Sequence, residues 1–381
     1  MSRRDLVFAL FRDTWTSARR RQYMPPDRLL VALLKDEAID RLIVAEPFRS
    51  GPTQFAKRLL GREPVPFPTS ATACLVSPMR IRREDGHGSR TLERTYADYD
   101  QLLKTRAREM GLSSPAIITT NPYYAAHAPL DWGGPVTYYG WDDWAAWPTL
   151  RRWWPDLREA YRRISARGHR VCAVSRSLLG VINPTGPSAV VPNGIEPSEW
   201  QPPWSEASWL ESLPRPHILY IGAIHSRLDI EAVGEISRAF PNGSVIFVGP
   251  VIDREVVTQL SSMRNVHIRD PLPRREIAGL VHSADVCIMP HRRTDLTKSM
   301  SPLKLYEYCA AGRPSAATDL PPVRGIDPAV RLVSEGSSFA EGVLRALQAG
   351  PMSEDKRQEF LKRNSWEQRH KEILELALAG S

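Results

Sequence analysis

The sequence predicts an α/β protein built from two doubly wound domains, and three observations carry that reading. The chain is 381 residues long, more than one ordinary hydrophobic core accommodates. From residue 217 onward, short and nearly continuous apolar runs alternate with amphipathic stretches. Repeated βα units of that kind make a parallel sheet covered by helices on both faces. Residues 1–196 show the same alternation more loosely, and residues 197–216 are rich in Pro, Ser and Trp, as expected of a linker. The expected organisation is therefore a first domain over 1–196, a linker over 197–216, a second domain over 217–362 and a closing helical segment over 363–381.

In the first domain, residues 6–11 read as a strand, and Arg12-Asp13-Thr14-Trp15-Thr16 as the loop at its C-terminal end. In such sheets that end faces a ligand crevice, so Arg12 and Asp13 are candidates on one side of a site. Residues 27–35 read as a helix with Leu29, Leu30, Leu33 and Leu34 as its apolar face, and residues 42–45 as a second strand. Residues 50–90 are rich in Pro, Gly and Arg and read as irregular. A helix is expected over 92–110 and a strand over 116–120.

Residues 135–144 then place a short strand ahead of Trp141-Asp142-Asp143-Trp144. Two carboxylates at a strand end can orient a hydroxyl, and indole rings can line a sugar site. The same residues could equally cap the next turn and fill the core. A helix over 153–166, a strand over 171–175 and the turn signal Asn193-Gly194 complete this half.

The second half alternates cleanly. Strands are expected at 217–222, 244–249, 266–269, 286–289, 315–318 and 330–333. Helices are expected at 229–240, 253–262 and 273–282, with a closing one at 365–378. Between the strands at 286 and 315 lies Ser299-Met300-Ser301-Pro302-Leu303-Lys304-Leu305-Tyr306-Glu307-Tyr308-Cys309-Ala310-Ala311-Gly312-Arg313-Pro314. Ser301 suits a helix cap, Pro302 a first turn, and Gly312 with Pro314 a stop. Leu303, Tyr306 and Ala310 fall on one stripe. Lys304 and Glu307 lie near the helix start, where backbone N–H groups attract anions. That layout suits a nucleoside diphosphate, whose phosphates take the cation and whose ribose takes the carboxylate. An amphipathic helix with an exposed ion pair three residues apart is the plainer reading.

The run from Ser301 to Pro314 resembles the nucleotide-sugar signature of glycosyltransferases with the GT-B fold, most closely the retaining enzymes of glycosyltransferase family four and their relatives. The segment Pro192-Asn193-Gly194-Ile195-Glu196 resembles the end of that family's N-terminal domain. The resemblance implies two Rossmann-like domains facing a cleft, with the acceptor on the first and the nucleotide sugar on the second. It implies that the helix start, with Ser301, Leu303 and Lys304, holds the diphosphate, and that Glu307 binds the ribose. Ser299 stands where many members carry a second glutamate. In the loop after Gly222, Ala223 and Leu228 stand where members carry Arg and Lys, so Arg227 with Lys304 is expected to supply the charge. Arg269 is a further expected nucleotide-sugar contact. Trp141 stands where the family has a histidine, while Asp142 remains.

The implied activity is transfer of a sugar from a nucleotide-diphosphate sugar to an acceptor hydroxyl, with retention and with neither metal nor cofactor. Asp142, Asp143, Arg227 and Lys304 are the catalytic candidates. Arg12, Asp13, Trp141 and Trp144 are the candidates on the acceptor side. An epimerase or hydrolase on the same fold, or a non-catalytic nucleotide-sugar-binding scaffold, are the alternatives. Up to Arg176 the chain carries 29 Lys and Arg against 19 Asp and Glu, and from Ser177 onward 22 against 24. The basic half points to an anionic or lipid-linked acceptor, or to peripheral contact with an anionic bilayer, unless it is merely a solvated surface. No nucleic-acid-binding signature accompanies it. No apolar run approaches the roughly eighteen residues of a membrane span. Residues 6–11 are too short for a signal peptide. The four cysteines are widely spaced, which suits a reducing, cytoplasmic setting. Asp98-Tyr99-Asp100 lies in a helical stretch and is not expected to bind metal.

Overall fold

The computed structural model describes residues 4–21, 23–61, 63–205 and 207–379. Residues 1–3, 22, 62, 206, 380 and 381 lie outside this description. Among them are the start of the expected first domain, one position of the expected linker and the end of the closing segment. The chain divides into two compact units, residues 1–192 with 369–381 and residues 193–368.

The first unit is a seven-stranded parallel sheet. Its strands are β1 (Arg4–Ala9), β2 (Ile39–Ala45), β3 (Ala73–Val76), β4 (Ala116–Thr119), β5 (Val136–Gly140), β6 (Arg170–Ala173) and β7 (Ser188–Val190), in the spatial order β3-β2-β1-β4-β5-β6-β7. The second unit is a six-stranded parallel sheet. Its strands are β8 (His217–Ile221), β9 (Ser244–Val248), β10 (Val266–Arg269), β11 (Val286–Met289), β12 (Ser315–Thr318) and β13 (Val330–Val333), in the order β10-β9-β8-β11-β12-β13. In each sheet the first strand lies inside, and the winding reverses beside it. The reversal falls between β1 and β4 in one unit and between β8 and β11 in the other. At such a switch point the loops leaving adjacent strands diverge and open a crevice at the strands' C-terminal ends.

The central strands are apolar because helices cover both faces. Leu6, Val7, Phe8 and Ala9 of β1 are fully buried, as are Ile218 and Leu219 of β8 and Val286, Cys287 and Ile288 of β11. Ile218 pairs with Val245 on one side and Val286 on the other, which places β8 at the centre of its sheet. Among residues 369–381, Ile373, Leu374 and Ala377 join the core of the first unit. The stretch expected as a linker belongs to the second unit, where Trp200 and Leu210 enter a core cluster.

The expectation of irregular structure over 50–90 is corrected at several places. Gly51–Leu59 is a helix, Ala73–Val76 pairs with β2 at the sheet's edge, Met79–Arg80 pairs with Arg49–Ser50 in a small separate sheet, and the next helix starts at Ser89. The edge strand Ala73-Cys74-Leu75-Val76 is apolar but only four residues long, and it stands alone in a stretch rich in Pro, Gly and Arg, without the amphipathic helix that would mark it as part of a βα unit.

Candidate functional site

The switch point of the second sheet gathers most of the expected donor-side residues. Gly222 follows β8 with φ +121°, a conformation that side chains rarely adopt. A Cβ there would lie 3.4 Å from Lys304 Cε and 3.5 Å from Nζ. Behind it, a Cβ on Gly249 would fall 2.2 Å from the Gly222 carbonyl oxygen, so the two loops pack backbone to backbone. The Leu303–Ala310 helix is fixed to the same point by Tyr308. Its hydroxyl accepts from the Ile221 N–H at 3.1 Å and donates to the Ile288 carbonyl at 3.2 Å. One side chain thereby ties the helix to the adjacent ends of β8 and β11.

The helix start differs from the sequence expectation, and the difference matters chemically. Pro302, not Ser301, is the N-cap, and no side chain caps the helix. The Ser301 hydroxyl instead accepts from the Asn193 N–H at 3.1 Å, and its carbonyl accepts from Asn193 Nδ2 at 2.7 Å. Among the described residues, the N–H groups of Leu303 and Lys304 have no acceptor. A helix start with open N–H groups is an anion site by construction.

Lys304 adds the cation. Its ammonium lies 5.1 Å from the Tyr220 ring centroid and has no ion-pair partner among the described residues. Burial, reinforced by the Arg227 guanidinium and opposed by Glu307, pulls its pKa down to about 7. Arg227 lies in the same group. Its backbone N–H donates to His225 Nδ1 at 2.9 Å, its Nε faces His225 Nε2, and its Nη1 meets Met300 Sδ at 3.8 Å. His225 is held neutral, its pKa lowered to about 3 by burial and then by Arg227 and Lys304. His291 is likewise driven well below the usual imidazole range, by burial first and then by Lys304 and Arg227. The local charge is thus two cations beside two neutral imidazoles. Leu228 is fully buried, and the Ala223 carbonyl accepts from the Tyr220 hydroxyl at 3.1 Å.

Glu307 does not form the exposed pair with Lys304. It is 5 % exposed, and its Oε1 is paired with Arg274, whose Nε reaches Glu199 at 2.9 Å. The Arg274 guanidinium also lies 5.4 Å from the Trp200 ring centroid. The second Glu307 oxygen has no protein partner among the described residues. The expected single buried stripe is also corrected, because Leu305 through Ala310 are all buried. Ser299 is buried at the end of the short Asp295–Ser299 helix, and Leu303 is the first residue of its own helix. Arg269 closes the edge strand β10, where its guanidinium lies 5.4 Å from the Trp209 ring centroid. No contact joins it to Lys304 or Glu307 among the described residues.

In the first unit, Asp142 and Asp143 build a turn. The Asp142 carboxylate accepts from the Asp143 N–H at 2.9 Å, and that of Asp143 from the Ala145 N–H at 3.1 Å. Trp141 and Trp144, expected either to line an acceptor site or to fill the core, are buried among the core residues. They meet edge to face at 4.9 Å, and Trp144 also packs on Phe11 at 5.2 Å. Asp13 is buried and paired with Arg21 at 2.6 Å, whereas Arg12 is exposed. Arg12 lines a cavity of about 340 Å³ with Phe48, Arg80, Arg83, Tyr123 and Trp153. Asp100 is structural, accepting from Tyr124 Oη and Trp132 Nε1, each at 2.9 Å.

Comparison with known proteins bears on the fold and the family. Residues 215–349 match the family described as Glycosyl transferases group 1. The sucrose-phosphate synthase of Thermosynechococcus elongatus superposes with a TM-score of 0.67 at 13 % identity, over 98 % of each chain. The Anabaena protein HepE, solved in complex with UDP and glucose, superposes with a TM-score of 0.61 at 14 % identity, over 99 % of this chain and 100 % of that one. The chain has the GT-B fold. In sequence, 104 residues are 31 % identical to TuaH of Bacillus subtilis (strain 168), named as a glycosyltransferase of teichuronic acid biosynthesis. That stretch is 27 % of this chain and spans about a quarter, 26 %, of the TuaH length.

Sequence reasoning missed Arg274, His225, His291 and Tyr308. Tyr308 was within reach, as an aromatic hydroxyl inside the motif. The others become neighbours only once the GT-B sheet order is known.

Proposed function

We propose that the chain is a glycosyltransferase that moves a sugar from a nucleotide-diphosphate sugar to an acceptor hydroxyl, with retention and without a metal. The observation that carries this is the unpaired Lys304 ammonium, beside Gly222 and the uncapped start of the Leu303–Ala310 helix. In the reaction, the bond from the anomeric carbon to the diphosphate oxygen breaks and its electron pair leaves with the diphosphate. The acceptor oxygen bonds to that carbon, and its proton passes to the oxygen of the departing diphosphate. Charge developing on the diphosphate falls to Lys304, Arg227 and the helix N–H groups, which are already oriented before the reaction. The free Glu307 oxygen suits a ribose hydroxyl, with Arg274 holding the carboxylate in place. Retention is supported by the family-four resemblance of the motif, and a nucleoside diphosphate donor by HepE, a structural neighbour in complex with UDP and glucose.

Peripheral contact with an anionic bilayer is supported by exposed apolar side chains over residues 55–81 of the first unit. Phe55 is 66 % exposed, Leu59 and Leu60 73 % each, Met79 55 % and Ile81 86 %, interspersed with the exposed Lys57, Arg82 and Arg83. No helix among the described residues is long and apolar enough to cross a membrane. Sedimentation with anionic vesicles at low salt tests the contact, and it is refuted if the protein stays in the supernatant.

Incubation with a panel of nucleotide sugars tests the activity. Acceptor-dependent release of nucleoside diphosphate is expected. Equal release without acceptor would make the protein a hydrolase. Binding without turnover would make it a scaffold, which the serine at position 299 leaves open as the contrary result.

A further inference from the structure

The first sheet has its own switch point, and a cavity lies there. Phe11 and Arg12 follow β1, and Tyr123 opens the Pro122–His127 helix that follows β4, so both flanks of the reversal contribute to the wall. The volume of about 340 Å³ is that of a small ligand site. Phe48 and Trp153 make apolar walls.

The charges around this cavity do not cancel. Arg80 is paired with Asp85, and Glu84 with Arg152 at 3.3 Å. Arg12 and Arg83, both exposed, have no carboxylate partner among the described residues. Tyr123 is 2 % exposed, and its hydroxyl has no hydrogen-bond partner among the described residues. A buried hydroxyl left unpaired is unfavourable, and here it belongs to a residue of the cavity wall. Two unpaired guanidiniums and an orphan hydroxyl around an aromatic-walled cavity match an oxyanion carried on a sugar ring. Guanidinium forks bind phosphate and carboxylate in two-pronged fashion.

We propose that this cavity is the acceptor subsite for a saccharide bearing an oxyanion group, held by Arg12 and Arg83 and completed by the Tyr123 hydroxyl. The proposal rests on the glycosyltransferase reading, and its test keeps the two apart. The full chain, without donor, is titrated calorimetrically with a hexose phosphate, a hexuronate, the neutral hexose and inorganic phosphate. A nucleoside diphosphate is titrated separately.

At least one anionic sugar is expected to bind about tenfold or more tightly than both the neutral hexose and inorganic phosphate. The better of the two anionic sugars identifies the oxyanion. The double variant Arg12→Gln, Arg83→Gln should abolish the preference, and Tyr123→Phe should weaken binding about fivefold. Nucleoside diphosphate affinity should be unchanged in every variant. The proposal is overturned if the neutral hexose binds as tightly, if inorganic phosphate binds as tightly as either sugar, or if the preference survives the double variant. Absence of any saccharide binding overturns it too, and with nucleoside diphosphate binding intact the donor reading still stands. Both arginines are exposed, so the test does not depend on Tyr123→Phe folding.

Discussion

Lys304 makes diphosphate binding pH-dependent in a direction that can be worked out. In the free protein its ammonium titrates at about 7, because burial and Arg227 disfavour the charge. A bound diphosphate places negative charge beside it and returns the pKa toward the ordinary lysine value, about 10.4. Below pH 7 the ammonium is charged with or without ligand, and Lys304 adds no pH dependence. Above pH 7 binding must also take up a proton, so affinity falls with rising pH by about tenfold per unit, or about 1.4 kcal/mol. Between pH 7 and 9 the dissociation constant should therefore rise by roughly fiftyfold.

The ligand's own last ionisation, near about 6, is complete over most of this range, and the comparison with Lys304→Gln at each pH removes what remains. Calorimetry in two buffers of different ionisation enthalpy counts the proton directly, with close to one taken up per ligand at pH 8.5. A flat profile, or the same slope in Lys304→Gln, would refute the placement of the diphosphate at this lysine.

Other substitutions read other parts of the site. Glu307→Gln should weaken nucleotide binding by about 1–3 kcal/mol. It should also lower the melting temperature, because Arg274 loses one of its two carboxylates; calorimetric titration and thermal denaturation read the two effects. Gly222→Ala should cost about 1–3 kcal/mol of stability, measured by urea denaturation, because φ +121° is strained for any side chain. Asp143→Asn keeps an oxygen for the Ala145 N–H, so circular dichroism should be unchanged. Selective loss of transfer with intact donor binding would support an acceptor role for Asp143, and full activity would remove it.

The alternation of apolar strands and amphipathic helices was readable because central parallel strands are buried on both faces. Strand β3 was not, because its four apolar residues stand alone in a long stretch rich in Pro, Gly and Arg. The motif located Lys304 and Glu307 correctly on one helix. It could not show that Asn193, 108 residues earlier in the chain, takes the Ser301 hydroxyl and leaves the helix start uncapped. Nor could it show that Glu307 pairs with Arg274 rather than remaining exposed. Arg269 stood at a strand end, as expected of a site residue, but its strand proved to be the sheet edge. The pair of aspartates between tryptophans was open to two readings at the sequence level. The rings of both tryptophans are buried and meet edge to face.

The most direct measurement is a crystal structure of the chain with a bound nucleoside diphosphate. The phosphates are expected within hydrogen-bonding distance of Lys304 Nζ and the N–H groups of Leu303 and Lys304, with a ribose hydroxyl on the free Glu307 oxygen. A nucleotide bound elsewhere, with Lys304 still lying over Tyr220 and that oxygen unoccupied, would contradict it.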